Sequence, residues 1–369
     1  DEVENNIRRI GGIEDFVCEP ILGAPEQYFY RNKMEFSFSD AKWLTLDEIN
    51  SGEEINNKNA LGFHIPGMWS KILDLKECHL QENPSNQIRL AVKKFADENG
   101  LEYFDVRNQA GFLRTMMLRQ NSRGEWMVLF QLFREEKDNQ QKLFDFLLKD
   151  FPKIKTLMFC HNSKQNDSLY DQDVQIYYGD GYLMEEMDGL QFKIGPKSFF
   201  QTNYQQALNL YRKTLEFADL KGDEVVYDLY TGTGTIAQYM ARNAKKVIGI
   251  ESVQESIDAA KEHATLNGLD NCEFFCGDMK DIFSDEFLAN HPKADVLITD
   301  PPRDGMHAKV VEQILKLSPE RIVYVSCNSA TQARDLALMK DHYKVVKILP
   351  VDMFPQTHHV ENIALLEKI

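Results

Sequence analysis

Apolar positions follow two different rhythms along this chain. Up to about Leu190, short β-rich runs (YFYRNKMEFSFS, ALGFHI, GEWMVLFQLF, IKTLMFC) are mixed with helical stretches such as NQIRLAVKKFADE and QQKLFDFLLKDF. That mixture predicts an α+β domain. From about Ile194 the pattern becomes a near-strict alternation: EVVYDLY, TIAQYMARNA, KKVIGIE, QESIDAAKEHATLNG, CEFFCGD, ADVLITD, AKVVEQILKL, RIVYVSC and ATQARDLALM. Strand and helix in turn predict a mostly parallel sheet wound by right-handed crossovers. The tail YKVVKILPVDMFPQTHHVENIALLEKI holds two strands with no helix between them, which predicts an antiparallel hairpin on the sheet edge. Turn formers Gly189, Gly195 and Pro196 place a boundary near residues 185–196. The expected division is 1–24 as a remnant of an N-terminal region or linker, 25–190 as a smaller α+β domain, and 191–369 as a Rossmann-like α/β domain.

Composition narrows the class. The 369 residues are 43% hydrophobic and 27% charged, too apolar for a disordered chain. No window approaches the ~20 apolar residues of a bilayer span, and the N-terminus lacks a signal peptide's apolar stretch. Six scattered cysteines without a C-x-x-C pair fit a reduced, cytoplasmic setting. The net charge of −16 argues against tight non-specific binding to phosphate backbones, although a local basic face can sit on an acidic protein. Between Arg107 and Arg134 lie five arginines (Arg107, Arg114, Arg119, Arg123, Arg134) and one acid, Glu125, a stretch that could form such a strip. The chain begins with Asp1 rather than Met, so a truncated piece of a longer product is expected.

Val225 to Leu229 lead into Tyr230, Thr231, Gly232, Thr233, Gly234, Thr235, Ile236 and Ala237. This is G-x-G-x-x-G/A between a strand and a helix, where missing side chains let a ligand approach the backbone and helix N-terminus. Glu251 closes the next strand, where an acid can accept both hydroxyls of a ribose. That feature serves a dinucleotide and S-adenosylmethionine equally. Asp278, after the third strand, is placed to accept an adenine amino group. Asp300, Pro301, Pro302 and Arg303 follow the fourth strand, where stiffened backbone would line the carboxyl edge on which open α/β folds bind ligands.

Cys327 ends the strand RIVYVS and precedes a helix beginning near Ser329. A lone cysteine there is more often a buried structural thiol. The final hairpin, however, carries His358, His359 and Glu361, so a carboxylate can return to the same mouth. The histidine pair has no matching acid or cysteine spacing around it, and no metal site is expected.

The ordered segments KSFFQTN (197–203), DLYTGTGT (228–235), GIE (249–251), DPPRDG (300–305), YVSCNSAT (324–331) and VDMFPQTHHVEN (351–362) resemble the motif set of the RNA uracil-C5 methyltransferase family, most of all its 23S ribosomal RNA enzymes. YRNKMEFSFS (30–39) and LGFHIPGMWSKILDLKECHL (61–80) resemble that family's central domain. The resemblance implies a class I S-adenosylmethionine-dependent methyltransferase fold preceded by an RNA-facing domain. It implies Cys327 as nucleophile and Glu361 as base, with Gln201, Tyr230, Glu251 and Asp300 touching the methyl donor or target base. Asp278 and the Gly232 backbone would complete the donor pocket, and Phe199 and Phe200 are candidates for the wall of the base pocket.

Many family members also hold an iron–sulfur cluster, of which Cys78 resembles the fourth ligand. The first three have no counterpart here, so a cluster belongs to a longer protein and is not expected in this chain. Cys78 also tilts the expected partner toward 23S ribosomal RNA over transfer RNA. The expected molecule is a monomer acting on RNA, with no membrane association. The rivals are a transfer-RNA uracil-C5 methyltransferase, an amino-directed base methyltransferase, and a non-catalytic RNA-binding protein with a methyltransferase fold.

Overall fold

Five apolar runs of the C-terminal half become parallel strands: β1 (Val225–Leu229), β2 (Lys246–Glu251), β3 (Cys272–Cys276), β4 (Val296–Thr299) and β5 (Arg321–Ser326). They are followed by β6 (Tyr343–Val351) and β7 (Glu361–Lys368). The computed structural model describes residues 1–369. Its helices in this half are α1 (Tyr204–Ala218), α2 (Thr235–Ala241), α3 (Gln254–Leu266), α4 (Met279–Ile282), α5 (Asp285–Asn290), α6 (Ala308–Leu317) and α7 (Ser329–Met339). The strands lie in the order β6-β7-β5-β4-β1-β2-β3, with a short strand, Val17–Cys18, outside β6. This is the class I methyltransferase arrangement, and chain direction across the sheet reverses around β1 and β4, where a ligand crevice opens in such folds.

The hairpin takes the expected place at the end of the sheet beyond β5, with only the two-residue strand Val17–Cys18 outside it. β7 is antiparallel to both β5 and β6 and so lies inside the sheet. The reason is the run Ile363, Ala364, Leu365 and Leu366, apolar at successive positions and buried throughout, which needs cover on both faces.

Residues 1–24 belong to the same compact unit as the C-terminal sheet. The helix Glu2–Arg9 buries Val3 and Ile7 in the catalytic core, and Asn6 Nδ2 donates to Ser329 Oγ at 2.8 Å. Residues 1–27, 186–192 and 198–369 form one unit, and residues 28–185 with 193–197 form the other.

The second unit is built on an eight-stranded mixed sheet whose middle strands are Lys33–Ser39, Leu113–Gln120 and Trp126–Leu132. Helices Ser85–Glu98 and Lys137–Asp150 cover it, burying Ile88, Val92, Ala96, Leu143, Phe144 and Leu147. Here the expected basic strip fails. Arg114 and Arg119 are 2% and 3% exposed, because the strand that carries them is central. Arg114 donates to Asp167 (2.7 Å) and to the carbonyls of Asn162 and Lys164 (2.7 and 2.6 Å). Arg119 Nη1 donates to the Gly195 carbonyl at 3.0 Å. Arg134 is paired with Glu102 and Glu136. These three arginines are internal struts or ion-paired, not a phosphate-binding row. No helix of the protein is long and apolar enough to cross a membrane.

Candidate active site

At the end of β1 the backbone turns sharply. Tyr230 has φ 63°, and Gly232 and Gly234 have φ 55° and 77°, a left-handed conformation that favours glycine. The two glycines differ in purpose. A Cβ on Gly234 would lie 2.9 Å from the Ala260 Cβ, so packing of α3 forbids a side chain, whereas a Cβ on Gly232 would meet nothing within 4 Å. Gly232 therefore borders open space. Its N–H donates to Glu251 Oε2 (3.2 Å), while Glu251 Oε1 accepts from the N–H groups of Ser252 (2.7 Å) and Val253 (3.0 Å). The carboxylate at the tip of β2 is thus fixed against the glycine loop. Below the loop, Asp228 is buried and accepts the Thr231 hydroxyl at 2.5 Å; burial raises its pKa to about 7.

Cys327 and the acid of the tail meet through sheet register. In the β5–β7 pair, Ser326 lies opposite Asn362. One rung further out, β5 reaches Cys327 and β7 reaches Glu361, on neighbouring strands at one edge of the sheet. Asn362 Nδ2 donates to Gln332 Oε1 (2.7 Å), and Gln332 Nε2 donates to the Tyr324 carbonyl (2.9 Å). These bonds lock the rung to α7. Asn328 caps α7, accepting from the N–H groups of Ala330 and Thr331 (3.1 and 3.4 Å). The thiol therefore sits just before a helix N-terminus.

The charges at this edge are held in tension. Glu361 is 7% exposed, and burial raises its pKa to about 7, with Arg303 opposing. Asp300, at the end of β4, is raised to about 8 by burial and then by Glu361. Burial, Glu361 and Asp300 push the Cys327 thiol up, while Arg303 acts in the other direction. Carboxyls that titrate near neutrality are suited to proton transfer. Tyr211 of α1 is buried beside the same acids, which with burial raise its pKa.

Other expected residues are scattered around this edge. Gln201 is part-buried in the loop before α1, and that loop is tied down by Asn203 Nδ2 donating to the Met353 carbonyl at 2.9 Å. Phe200 is core, its ring tilted against that of Phe192, while Phe199 is 67% exposed. Tyr230 is part-buried against the core, with Glu251 and Asp278 close enough to act on its hydroxyl. Asp278 caps α4 and pairs with Lys280 (2.8 Å), which lowers its pKa. His358 and His359 lie ring to ring, with centroids 4.1 Å apart. Cys78 is buried in the second unit, its N–H and carbonyl both bonded to the Asn86 side chain. The cysteines of this chain do not gather into a donor set for a cluster.

Sequence reasoning missed Arg303, Tyr211 and Asp335. Arg303 was visible as the basic residue of Asp-Pro-Pro-Arg. Asp335 and Tyr211 fall on buried helix faces, which periodicity alone assigns to core.

A family model described as tRNA (Uracil-5-)-methyltransferase matches residues 174–369. A Bacteroides thetaiotaomicron protein described as an uncharacterized RNA methyltransferase is 50% identical over 370 residues, covering 99% of this chain and 81% of its own length. A similarly described Chlorobaculum tepidum protein is 40% identical over 372 residues, covering 100% of this chain and 77% of its own. The crystal structure of the Pyrococcus abyssi tRNA (uracil-54, C5)-methyltransferase in complex with S-adenosyl-L-homocysteine superposes with a TM-score of 0.78 at 29% identity, covering 99% of this chain and 81% of that one.

Proposed function

Because the chain belongs to the RNA uracil-5-methyltransferase family, we propose that it methylates C5 of a specific uridine in RNA through a covalent adduct between Cys327 and C6 of the base. The observation that carries this reading is the rung that sets Cys327 beside Glu361, next to Asp300, at the carboxyl edge of the sheet.

The enzyme is S-adenosylmethionine-dependent, and its residues fit that donor: the open space at Gly232 admits a ligand against the backbone, and the fixed carboxylate of Glu251 can take ribose hydroxyls. Tyr230, Gly232, Glu251 and Asp278 would hold the donor, and Gln201 and Asp300 the donor or the base. When bound, it supplies an electrophilic methyl on a sulfonium.

Uracil C5 is a weak nucleophile. Attack of the Cys327 sulfur on C6 forms an S–C bond and moves the C5=C6 pair toward O4, making C5 an enolate carbon. Once C5 is methylated, Glu361 removes its proton, the C5=C6 bond reforms and the S–C6 bond breaks. Asp300, largely protonated near neutrality, can donate a hydrogen bond to a carbonyl of the ring. The base must leave its stack to reach this edge, and exposed Phe199 offers a ring against which it can lie.

RNA containing 5-fluorouracil tests the reading. Fluorine cannot leave as a proton does, so wild-type enzyme should accumulate a covalent complex that the Cys327→Ala variant does not form. Absence of that complex with every RNA class would remove C5 chemistry.

For the RNA we propose 23S ribosomal RNA, on the resemblance of Cys78 and its surroundings to the ribosomal enzymes. A second reading, transfer RNA, is favoured by the identity of the Pyrococcus abyssi structure. Mass-spectrometric mapping of both RNAs from cells lacking the gene separates the two.

A further inference from the structure

Arg303 is an exposed arginine that forms no ion pair with any carboxylate, although acids outnumber bases 58 to 42 in this chain. Its backbone is bonded to Asn328, the residue after Cys327, and its positive charge favours the ionised forms of both Cys327 and Glu361.

The segment that carries it is stapled in place. The Arg303 carbonyl accepts from Asn328 Nδ2 and from Thr331 Oγ1, both at 3.0 Å. Arg334 Nη2 donates to the Asp304 carbonyl (2.8 Å), and the Met306 N–H donates to Asp335 Oδ2 (2.7 Å). Asp335 is fully buried and is itself fixed by the Tyr324 hydroxyl at 2.6 Å. Gly305, at φ 75°, leaves no room for a side chain: a Cβ would stand 2.6 Å from Arg334 Nη2. Residues 303–306 are thus bound to α7 and its cap, and through Asp335 and Tyr324 to β5, the two elements that flank Cys327.

We infer that Arg303 is a catalytic residue whose guanidinium pairs with the Cys327 sulfur and holds it as the attacking thiolate. The inference rests on the proposed reaction only for the identity of what the thiolate attacks. The thiol proton is released to solvent before the base enters, so neither Asp300 nor Glu361 has to accept it. Glu361 then remains free for the C5 proton, and on elimination the S–C6 electron pair returns to a sulfur that again faces a positive charge. An arginine suits this position because it keeps its charge at every working pH and presents donors in a fixed plane. The groups that face the sulfur are Glu361 from β7, Asp300 from β4 and Arg303 itself; the guanidinium is the group that favours the anion.

Alkylation of Cys327 by iodoacetamide across pH reads the thiolate without RNA or methyl donor. Peptide mass spectrometry scores Cys18, Cys272 and Cys276 separately. Arg303→Gln and Arg303→Met should raise the pH midpoint of Cys327 by about one unit, which is roughly a tenfold lower rate near neutrality. Arg303→Lys should return most of the shift. Thermal unfolding identifies which variants are folded, and two uncharged replacements guard against one failing to fold. An unchanged midpoint in either folded uncharged variant overturns the assignment. Loss of the 5-fluorouracil complex in wild type would sink the uridine reaction while leaving the midpoint shift intact, so the two failures are distinguishable.

Discussion

Arg114 in the second unit and Glu361 in the catalytic sheet are both charged residues withdrawn from water, 2% and 7% exposed, and their surroundings treat them in opposite ways. Arg114 is supplied with a carboxylate and two backbone carbonyls and lies over the Phe104 ring at 4.6 Å. Each of those partners repays part of its lost hydration. Glu361 accepts no hydrogen bond from a side chain or backbone group of the sheet, and burial leaves it titrating at about 7. A fully partnered buried charge holds a structure together. A poorly partnered one is a cost to the fold, and in the proposed reaction that cost supplies a base near neutrality.

The contrast can be broken or sharpened by substitution. The largest effect belongs to the sulfur: Cys327→Ala should lower methyl transfer by on the order of 10⁴-fold or more, measured with tritiated donor, with thermal stability unchanged. Glu361→Gln should lower turnover by roughly 10²- to 10⁴-fold and accumulate RNA-linked protein on denaturing gels, because addition and methylation proceed while elimination stalls.

The same variant carries the stability half of the comparison. Glu361 has a folded pKa of about 7 against an ordinary 4.5, so the folded state binds the extra proton between those values. Wild-type stability should therefore fall as pH rises through that window, and Glu361→Gln should be the more stable protein at pH 8, by on the order of 1–3 kcal/mol. Denaturant titration at pH 5 and pH 8 checks the sign; a variant less stable than wild type at pH 8 would contradict the tension described here. Arg114→Met should do the reverse, losing roughly 2–4 kcal/mol of stability while each folded molecule keeps full activity. The smallest effect is at Phe199→Ala, where RNA affinity should weaken by about fivefold, near 1 kcal/mol, with no change in melting temperature.

Much of this was legible in the residues and some was not, for identifiable reasons. The alternation from Val225 to Met339 dictates the parallel sheet, because apolar runs too short for helices were separated by amphipathic ones. The turn at the glycine loop and the place of Glu251 at the tip of β2 are legible because backbone conformation and strand ends leave marks in sequence. The C-terminal hairpin is legible because no helical stretch separates its two strands, and the unbroken apolar run Ile363–Leu366 marks β7 as its inner strand. The arginines at 114 and 119 misled because counting charge ignored that the strand carrying them is the middle of a sheet. Arg303 and Asp335 escaped because their roles arise from contacts across a loop, and no spacing rule records those.

The interior position of β7 has a consequence for how the enzyme comes into being. Glu361, the proposed base, arrives on a strand of eight residues, Glu361 to Lys368, slotted between β5 and β6, both of which precede it in sequence. A polypeptide that has emerged only as far as α7 carries the glycine loop, the Asp-Pro-Pro-Arg segment and Cys327 without Glu361, so under the proposed mechanism it lacks the group that takes the C5 proton. Completion of the proposed site waits on the translation of β7.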